Sequence, residues 1–168
     1  VAMSAGVPAG ACTLHGNNKS GDELREAIEA EVRYIVVDSF DELDRLDVLA
    51  VAGVGPTPRV VLRITPGVHA HTHEFIATGQ DDSKFGFNLA NGDALRAVDH
   101  ARRSPAMELV GLHCHIGSNV FEASSFAKAA EVMADFAVPL DLPELILGGG
   151  LGVAYVEGLR GGGGTEML

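Results

Sequence analysis

Tryptophan is absent from this 168-residue chain and aromatic residues make up only 5% of it, whereas glycines number 21. That balance points to many tight turns at the ends of secondary-structure elements. Cysteine is equally scarce. Cys12 and Cys114 are the two present, without CxxC spacing, which excludes a disulfide framework and suggests a reduced, cytosolic protein. Basic residues are few, 12 against 23 acidic ones, for a net charge of −11. With no Lys/Arg cluster beyond Arg102-Arg103, a nucleic-acid-binding surface is not expected. No apolar run reaches eighteen residues, so no membrane span is expected. The opening residues Val1-Ala2-Met3-Ser4 lack the basic and long apolar regions of a signal peptide.

What is there reads as an ordered domain. Hydrophobic residues make up 46% and mean hydropathy is slightly positive, so the chain can build a real core. Residues 1–10 suggest the end of a helix and a turn closed by Gly6 and Pro8. The pattern then predicts strands at 11–14, 34–37, 59–64, 109–115 and 144–147. Ser20 with Glu23, and Ser39 with Glu42, each read as a capping box opening a helix. Leu24, Ala27, Ile28 and Val32 supply an apolar stripe to the first of these helices, and Phe40, Leu43, Leu46 and Leu49 to the second. Asn91 with Asp93 can start a third helix carrying Ala94, Leu95 and Val98. Phe126, Ala130, Met133 and Ala137 place a fourth over 123–137.

Continuous apolar strands joined by helices mean a parallel α/β sheet. Two architectures stay open: a small doubly wound domain, or a piece of an eight-stranded barrel. In either, chemistry gathers at the carboxyl ends of the strands. Two ends stand out. Leu112-His113-Cys114-His115-Ile116-Gly117-Ser118 turns from apolar to polar within three residues, with His113 and His115 on one face of the strand. Gly148-Gly149-Gly150 follows the last strand, and its backbone N–H groups can form an anion-binding concavity; the plainer alternative is a tight strand-to-helix turn. Arg63, on an otherwise apolar strand, needs a partner if buried. Lys19 and Lys84 follow strand ends, where a role in the site and a structural ion pair are both open, while Lys128 reads as a solvated helix residue. His69, His71 and His73 lie in a long connection, with no carboxylate or cysteine at metal-ligand spacing, and no metal site is expected.

Taken together, HGNNKS (15–20), IVVDS (35–39), HTHEFIATG (71–79), SKFG (83–86), GLHCHIGS (111–118) and LGGGLGVAY (147–155) resemble the diaminopimelate decarboxylase family. That family is one branch of the alanine-racemase-like, fold-type III decarboxylases, which use pyridoxal 5'-phosphate (PLP). The resemblance covers about residues 1–157 as a partial PLP-binding barrel domain and leaves 158–168 as a flexible glycine-rich tail unlike the family. It implies a TIM-type (β/α)8 barrel represented by about strands three to seven, with the C-terminal β domain absent. It further implies that His115 stacks on the cofactor ring, that Ser118 and the backbone of Gly148, Gly149 and Gly150 hold its phosphate, and that Arg63 lies nearby.

The activity so implied is decarboxylation of meso-2,6-diaminopimelate to L-lysine, a small amino-acid substrate, by a cytoplasmic homodimer. Related enzymes acting on ornithine, arginine or carboxynorspermidine, or a non-catalytic PLP-binding protein, are the alternatives. His15, Asn17, Lys84 and His113 match positions around the family site without an assigned role. No catalytic residue is expected within the chain, because the family's Schiff-base lysine corresponds to a position upstream of Val1. Asn119 and Ile146 depart from the residues the family often carries there.

Overall fold

In a computed structural model of the chain, residues 1–68 and 84–152 are described. Among these residues, six strands and four α-helices follow in the order β1 (Thr13–Leu14), α1 (Gly21–Glu29), β2 (Tyr34–Val37), α2 (Phe40–Val51), β3 (Arg59–Thr65), β4 (Phe87–Asn88), α3 (Asp93–Arg103), β5 (Glu108–Cys114), α4 (Ala123–Ala137) and β6 (Glu144–Leu147). The main sheet is parallel throughout, in the order β1-β2-β3-β5-β6, and the short β4 pairs with the end of β3.

This order decides between the two architectures. Each new strand is added on the same side of the one before, whereas a doubly wound sheet reverses direction at a switch point. Right-handed crossovers repeated in one direction put every helix on one face. The packing agrees. Leu24 and Ile28 of α1, Leu43 and Leu46 of α2, Ala97 and Val98 of α3 and Met133 of α4 share one core with Ile35, Val37, Val60, Leu62, Ile64, Leu112 and Cys114. The alternate strand residues Tyr34, Val36, Val61 and Val110 form a separate cluster on the other face, with Ile146 against it. The Tyr34 hydroxyl donates to Glu144 Oε1 at 2.7 Å across that second face, from β2 to β6. Three strand spacings separate these strands, about 14 Å along a flat sheet. A hydrogen bond between their inward side chains therefore requires the sheet to curl toward this face, as part of a barrel wall does.

Local sequence explains most boundaries. The Ser20–Glu23 capping box is complete: Ser20 Oγ accepts from the Glu23 N–H at 3.2 Å and Glu23 Oε2 accepts from the Ser20 N–H at 2.7 Å. The second box is only half made. Ser39 Oγ accepts from the Glu42 N–H, but the Glu42 carboxylate turns to the Asp38 N–H at 3.0 Å. The reason is Lys19, whose Nζ lies 2.6 Å from Glu42 Oε1 with both side chains buried. Nζ also donates to the carbonyls of Gly16 and Val36 at 2.6 and 2.7 Å. Burial raises the Glu42 carboxyl above the ordinary range, opposed by Lys19. Lys19 is thus the anchor that ties the 15–20 loop to β2 and α2, the structural one of its two sequence-level alternatives.

Other expectations are corrected by small rotations and by local geometry. The N-terminal helix end is a single 3-10 turn, Met3–Ala5, closed by Gly6 at φ 88°. Leu95 points to solvent at 51% exposure, because α3 buries Ala94, Ala97, Val98 and Ala101 instead. α1 ends at Glu29, leaving Val32 in the connection that follows it. In α4 the buried stripe is Ser125, Ala129 and Met133, one residue round from the expected one except at Met133.

Removing one partner of a buried ion pair leaves an uncompensated charge, which costs about 3–5 kcal/mol. Lys19→Met is therefore expected to lower stability to urea by that order. The double variant Lys19→Met, Glu42→Leu should recover most of the loss, as measured by equilibrium denaturation. A single variant as stable as the parent would show that the pair does not anchor the loop.

Candidate functional site

The strand register lays one polar layer across the concave face, near the carboxyl ends. β3 and β5 pair Arg63 with His113, and β5 and β6 pair His113 with Ile146. β2 pairs Val37 with Leu62, so the next residues, Asp38 and Arg63, stand side by side. A register shift at Val60/Val61 is what brings His113 to this level and its inward direction. Asp38 is buried and accepts from Arg63 at 3.2 Å through Oδ1 and from the Gly86 N–H at 3.1 Å through Oδ2. The Arg63 guanidinium also lies over the Phe85 ring, 4.6 Å from its centroid. Gly86 has φ 72°, and a Cβ there would come 2.7 Å from the Arg63 carbonyl, so only glycine lets the chain close on β3.

His113 is buried, and the ring of His15, from the end of β1, meets it edge-on at 5.1 Å between centroids. His115, just past the end of β5, is half-buried. All three imidazoles are held below the ordinary histidine range. Burial is the largest cause for each, and the Arg63 charge adds to each. For His113 the value is pushed down to about 3, with His15 the second cause. A hydrogen bond from His115 to the Gly149 backbone works in the opposite direction on His115. The three rings are therefore neutral at pH 7.

The two expected strand ends do come together. Val120 N–H donates to the Gly150 carbonyl and Gly152 N–H to the Val120 carbonyl, both at 2.9 Å, zipping the loop after β5 to the loop after β6. Two of the three glycines are demanded by this approach. A Cβ on Gly148 would lie 2.8 Å from His115 Nδ1, and one on Gly150 would lie 1.9 Å from the Gly117 carbonyl. Gly149 differs: a Cβ there meets nothing among the described residues. Ser118 is exposed in the loop after β5, one residue past Gly117, whose carbonyl faces Gly150. The half-buried His115 imidazole thus lies against the glycine turn, with an exposed hydroxyl on the loop zipped to it. Those groups suit a flat ring carrying an anionic substituent.

Of the sequence-predicted residues, His115, Gly148, Gly149, Gly150, Arg63 and Ser118 thus all lie at the carboxyl ends of β3, β5 and β6. Asp38 was missed as the partner of Arg63, although its place at the end of an apolar strand was the available signal. The pairing of His15 with His113 had no sequence signal, since it depends on the curl of the sheet. His69, His71 and His73 lie outside the described residues, as does the segment 153–168. A cavity of about 650 Å³ lies elsewhere, on the outer surface against α2 and α3. There His100 Nε2 meets Asp47 Oδ2 at 2.8 Å and Ser104 donates to Asp47 Oδ1, an inter-helix clamp remote from the strand ends. Asp44 approaches the same two side chains closely enough to share a cation with them, but it is exposed.

The depressed histidines link stability to pH. Between about pH 6.5 and 3 an unfolded chain binds a proton at His113 that the folded chain excludes, so stability falls as pH drops through this window. His15 and His115 contribute in the same direction. Replacing His113 by Asn is expected to make the fall between pH 6.5 and 3 shallower by a few kcal/mol, read from urea titrations at stepped pH. Superimposable pH profiles for parent and variant would show that His113 is not held neutral.

Residues 1–161 match the family described as pyridoxal-dependent decarboxylase, pyridoxal binding domain. The chain is 45% identical over 161 residues to the diaminopimelate decarboxylase of Corynebacterium efficiens, covering 92% of this chain and 35% of that protein. It is 46% identical over 162 residues to that of Bacillus subtilis, covering 93% and 37%. Among solved structures, diaminopimelate decarboxylase from M. jannaschii in complex with L-lysine superposes with a TM-score of 0.83 at 35% identity, over 94% of this chain and 37% of that one. An isoleucine-to-leucine mutant of the Helicobacter pylori enzyme, also complexed with L-lysine, gives 0.81 at 30% identity over 93% and 40%. The chain therefore spans little more than a third of the proteins it matches, which fits a sheet that is part of a barrel. By this match, and by the strand-end geometry that accompanies it, the chain belongs to the pyridoxal-dependent decarboxylase family, within its pyridoxal-binding domain.

Proposed function

We propose that the chain is the cofactor-holding part of a diaminopimelate decarboxylase, an enzyme that removes one carboxylate of meso-2,6-diaminopimelate to leave L-lysine. The observation that carries this is the zipped pair of strand ends, which sets the loop carrying Ser118 beside the glycine turn against which His115 lies, in a chain whose relatives at about 45% identity bear that name. The residues present fit pyridoxal 5'-phosphate. His115 would lie against its ring. Ser118 and the backbone of the Gly148–Gly150 turn would hold the phosphate through the N–H groups of Gly149 and Gly150, the Gly148 N–H being given to the Cys114 carbonyl at 2.7 Å. Arg63, paired with Asp38, would border the site. When bound, the cofactor supplies a ring that takes up the electron pair left on carbon as CO₂ departs, until a proton takes the place of the carboxylate.

Within this chain, residues bind and orient rather than activate. A neutral His115 presents a flat apolar face without a competing charge. Backbone N–H groups and the Ser118 hydroxyl meet an anion without needing to be charged themselves. The lysines do not supply covalent activation. Lys19 is locked by Glu42 and two carbonyls, Lys128 is ion-paired with Glu131 on the exposed side of α4, and the Lys84 ammonium lies over the Phe85 ring at 5.1 Å. The lysine that bonds the cofactor, and the groups that select the substrate, belong to other parts of the whole protein, a homodimer of the cytoplasm.

Two measurements test this. The purified 168-residue chain is expected to retain PLP in equilibrium dialysis and to release no CO₂ or lysine from diaminopimelate above a protein-free blank. Ser118→Ala should weaken retention about tenfold, the loss of one hydrogen bond to a charged group. Product formation by the chain alone would overturn the assignment of covalent activation to another part of the protein. Unchanged retention in both Ser118→Ala and Gly150→Ala would overturn the site.

A further inference from the structure

Next to the groups already assigned, His113 presents a polar atom with nothing to bond. Its Nδ1 is buried and has no hydrogen-bond partner among the described residues. Each neighbour is accounted for. The His15 ring touches it edge-on, a contact between rings rather than a hydrogen bond. Arg63, beside it in the register, is engaged with Asp38 and Phe85. Ile146, on its other side, offers no polar side-chain atom. A buried donor or acceptor left unsatisfied costs about 1–3 kcal/mol, and native interiors keep very few. If layer filling were the only requirement at this position, an aliphatic side chain would serve it better.

We propose that His113 is a ligand-binding residue of the same pocket, its open Nδ1 completed by a polar group of the PLP held against His115, directly or through one trapped water. The inference rests on the cofactor assignment made above. His113 is the penultimate residue of β5 and His115 follows directly after the strand's last residue, close enough for its charge to act on His113. His115 is half-buried and His113 is buried, level with Arg63. A neutral imidazole carries one N–H and one bare nitrogen, so it can either donate or accept at this depth without adding charge. His15, wedged against its edge, keeps the ring from turning away. His113 is on this account a positioning residue, fixing the depth and tilt of the ring.

The test uses PLP and the full 168-residue chain. His113→Leu fills the layer and removes the orphan atom, so it is expected to keep or raise stability in urea while weakening PLP retention about tenfold. His113→Asn carries a polar atom close to the place of Nδ1 and should restore most of the affinity. His113→Gln carries its polar atoms nearer the place of Nε2 and should not. In ¹⁵N-histidine-labelled chain, the Nδ1 resonance that is lost in His113→Asn should shift when PLP is added. A folded His113→Leu that binds PLP as tightly as the parent, with no such shift in the parent, would make His113 merely structural and leave the cofactor assignment standing. A parent chain that takes up no PLP at all would overturn both.

Discussion

A guanidinium near the end of a buried strand cannot stay unpaired, and the way Arg63 is satisfied shapes everything around it. Asp38 faces it from the adjacent strand and, with its second oxygen, takes the N–H of Gly86. One carboxylate thus neutralises the arginine and pins the returning chain against β3. The pair is not inert, because the charge of Arg63 contributes to lowering the pKa values of His15, His113 and His115 alike. An isolated cation here would be costly, and a neutral residue would remove one of the charges that add to burial in holding the three rings down. Burial sets the direction, and Arg63 reinforces it at each imidazole.

That face exists only because of the strand order. A sheet wound in one direction sends all its helices to one side, and every other strand residue then points away from them. Ile35, Val60, Leu62, Leu112 and Cys114 close the helix-side core, whereas their neighbours Val61, Arg63 and His113 line the inside of the curl. In a doubly wound sheet helices would cover this second face, and Arg63 and His113 would lie under an apolar helix. Curl and polarity go together: the inner face can be polar because no described helix packs upon it, and it is narrow because Tyr34 reaches Glu144 across it.

Much of this was legible in the residues. The four longer strands of the main sheet and the 123–137 helix fall within a residue of their expected bounds, because continuous apolar runs and helical spacing record burial directly. The Ser20 cap was legible for the same local reason. What escaped were consequences of three-dimensional closure. Glu42 left its capping role for Asp38 and Lys19, a partner 23 positions earlier. The shift at Val60/Val61 cannot be read from a run of Leu, Val and Gly, yet it decides which side of β5 faces inward. At the site, Gly148–Gly150 looked like three equivalent glycines, but two are required by neighbouring backbone and His115, whereas a Cβ at Gly149 meets nothing among the described residues. Sequence shows that side chains are missing; only the fold shows what occupies their place.

The charge of the chain sharpens the logic of holding an anion here. A body at −11 repels phosphate at long range, although salt at physiological strength reduces that repulsion beyond about 8 Å. Contact must then supply the attraction. Had the pocket used charged histidines for it, the empty pocket would crowd three cations beside Arg63 and Lys19, and the fold would bear that repulsion whenever nothing was bound. Neutral donors avoid this. On the proposed reading, backbone N–H groups, a serine hydroxyl and uncharged imidazoles would meet an anion without adding charge to the empty pocket. On that reading too, holding a cofactor and bonding it covalently can sit on different parts of a protein, because the first needs only a preorganised surface.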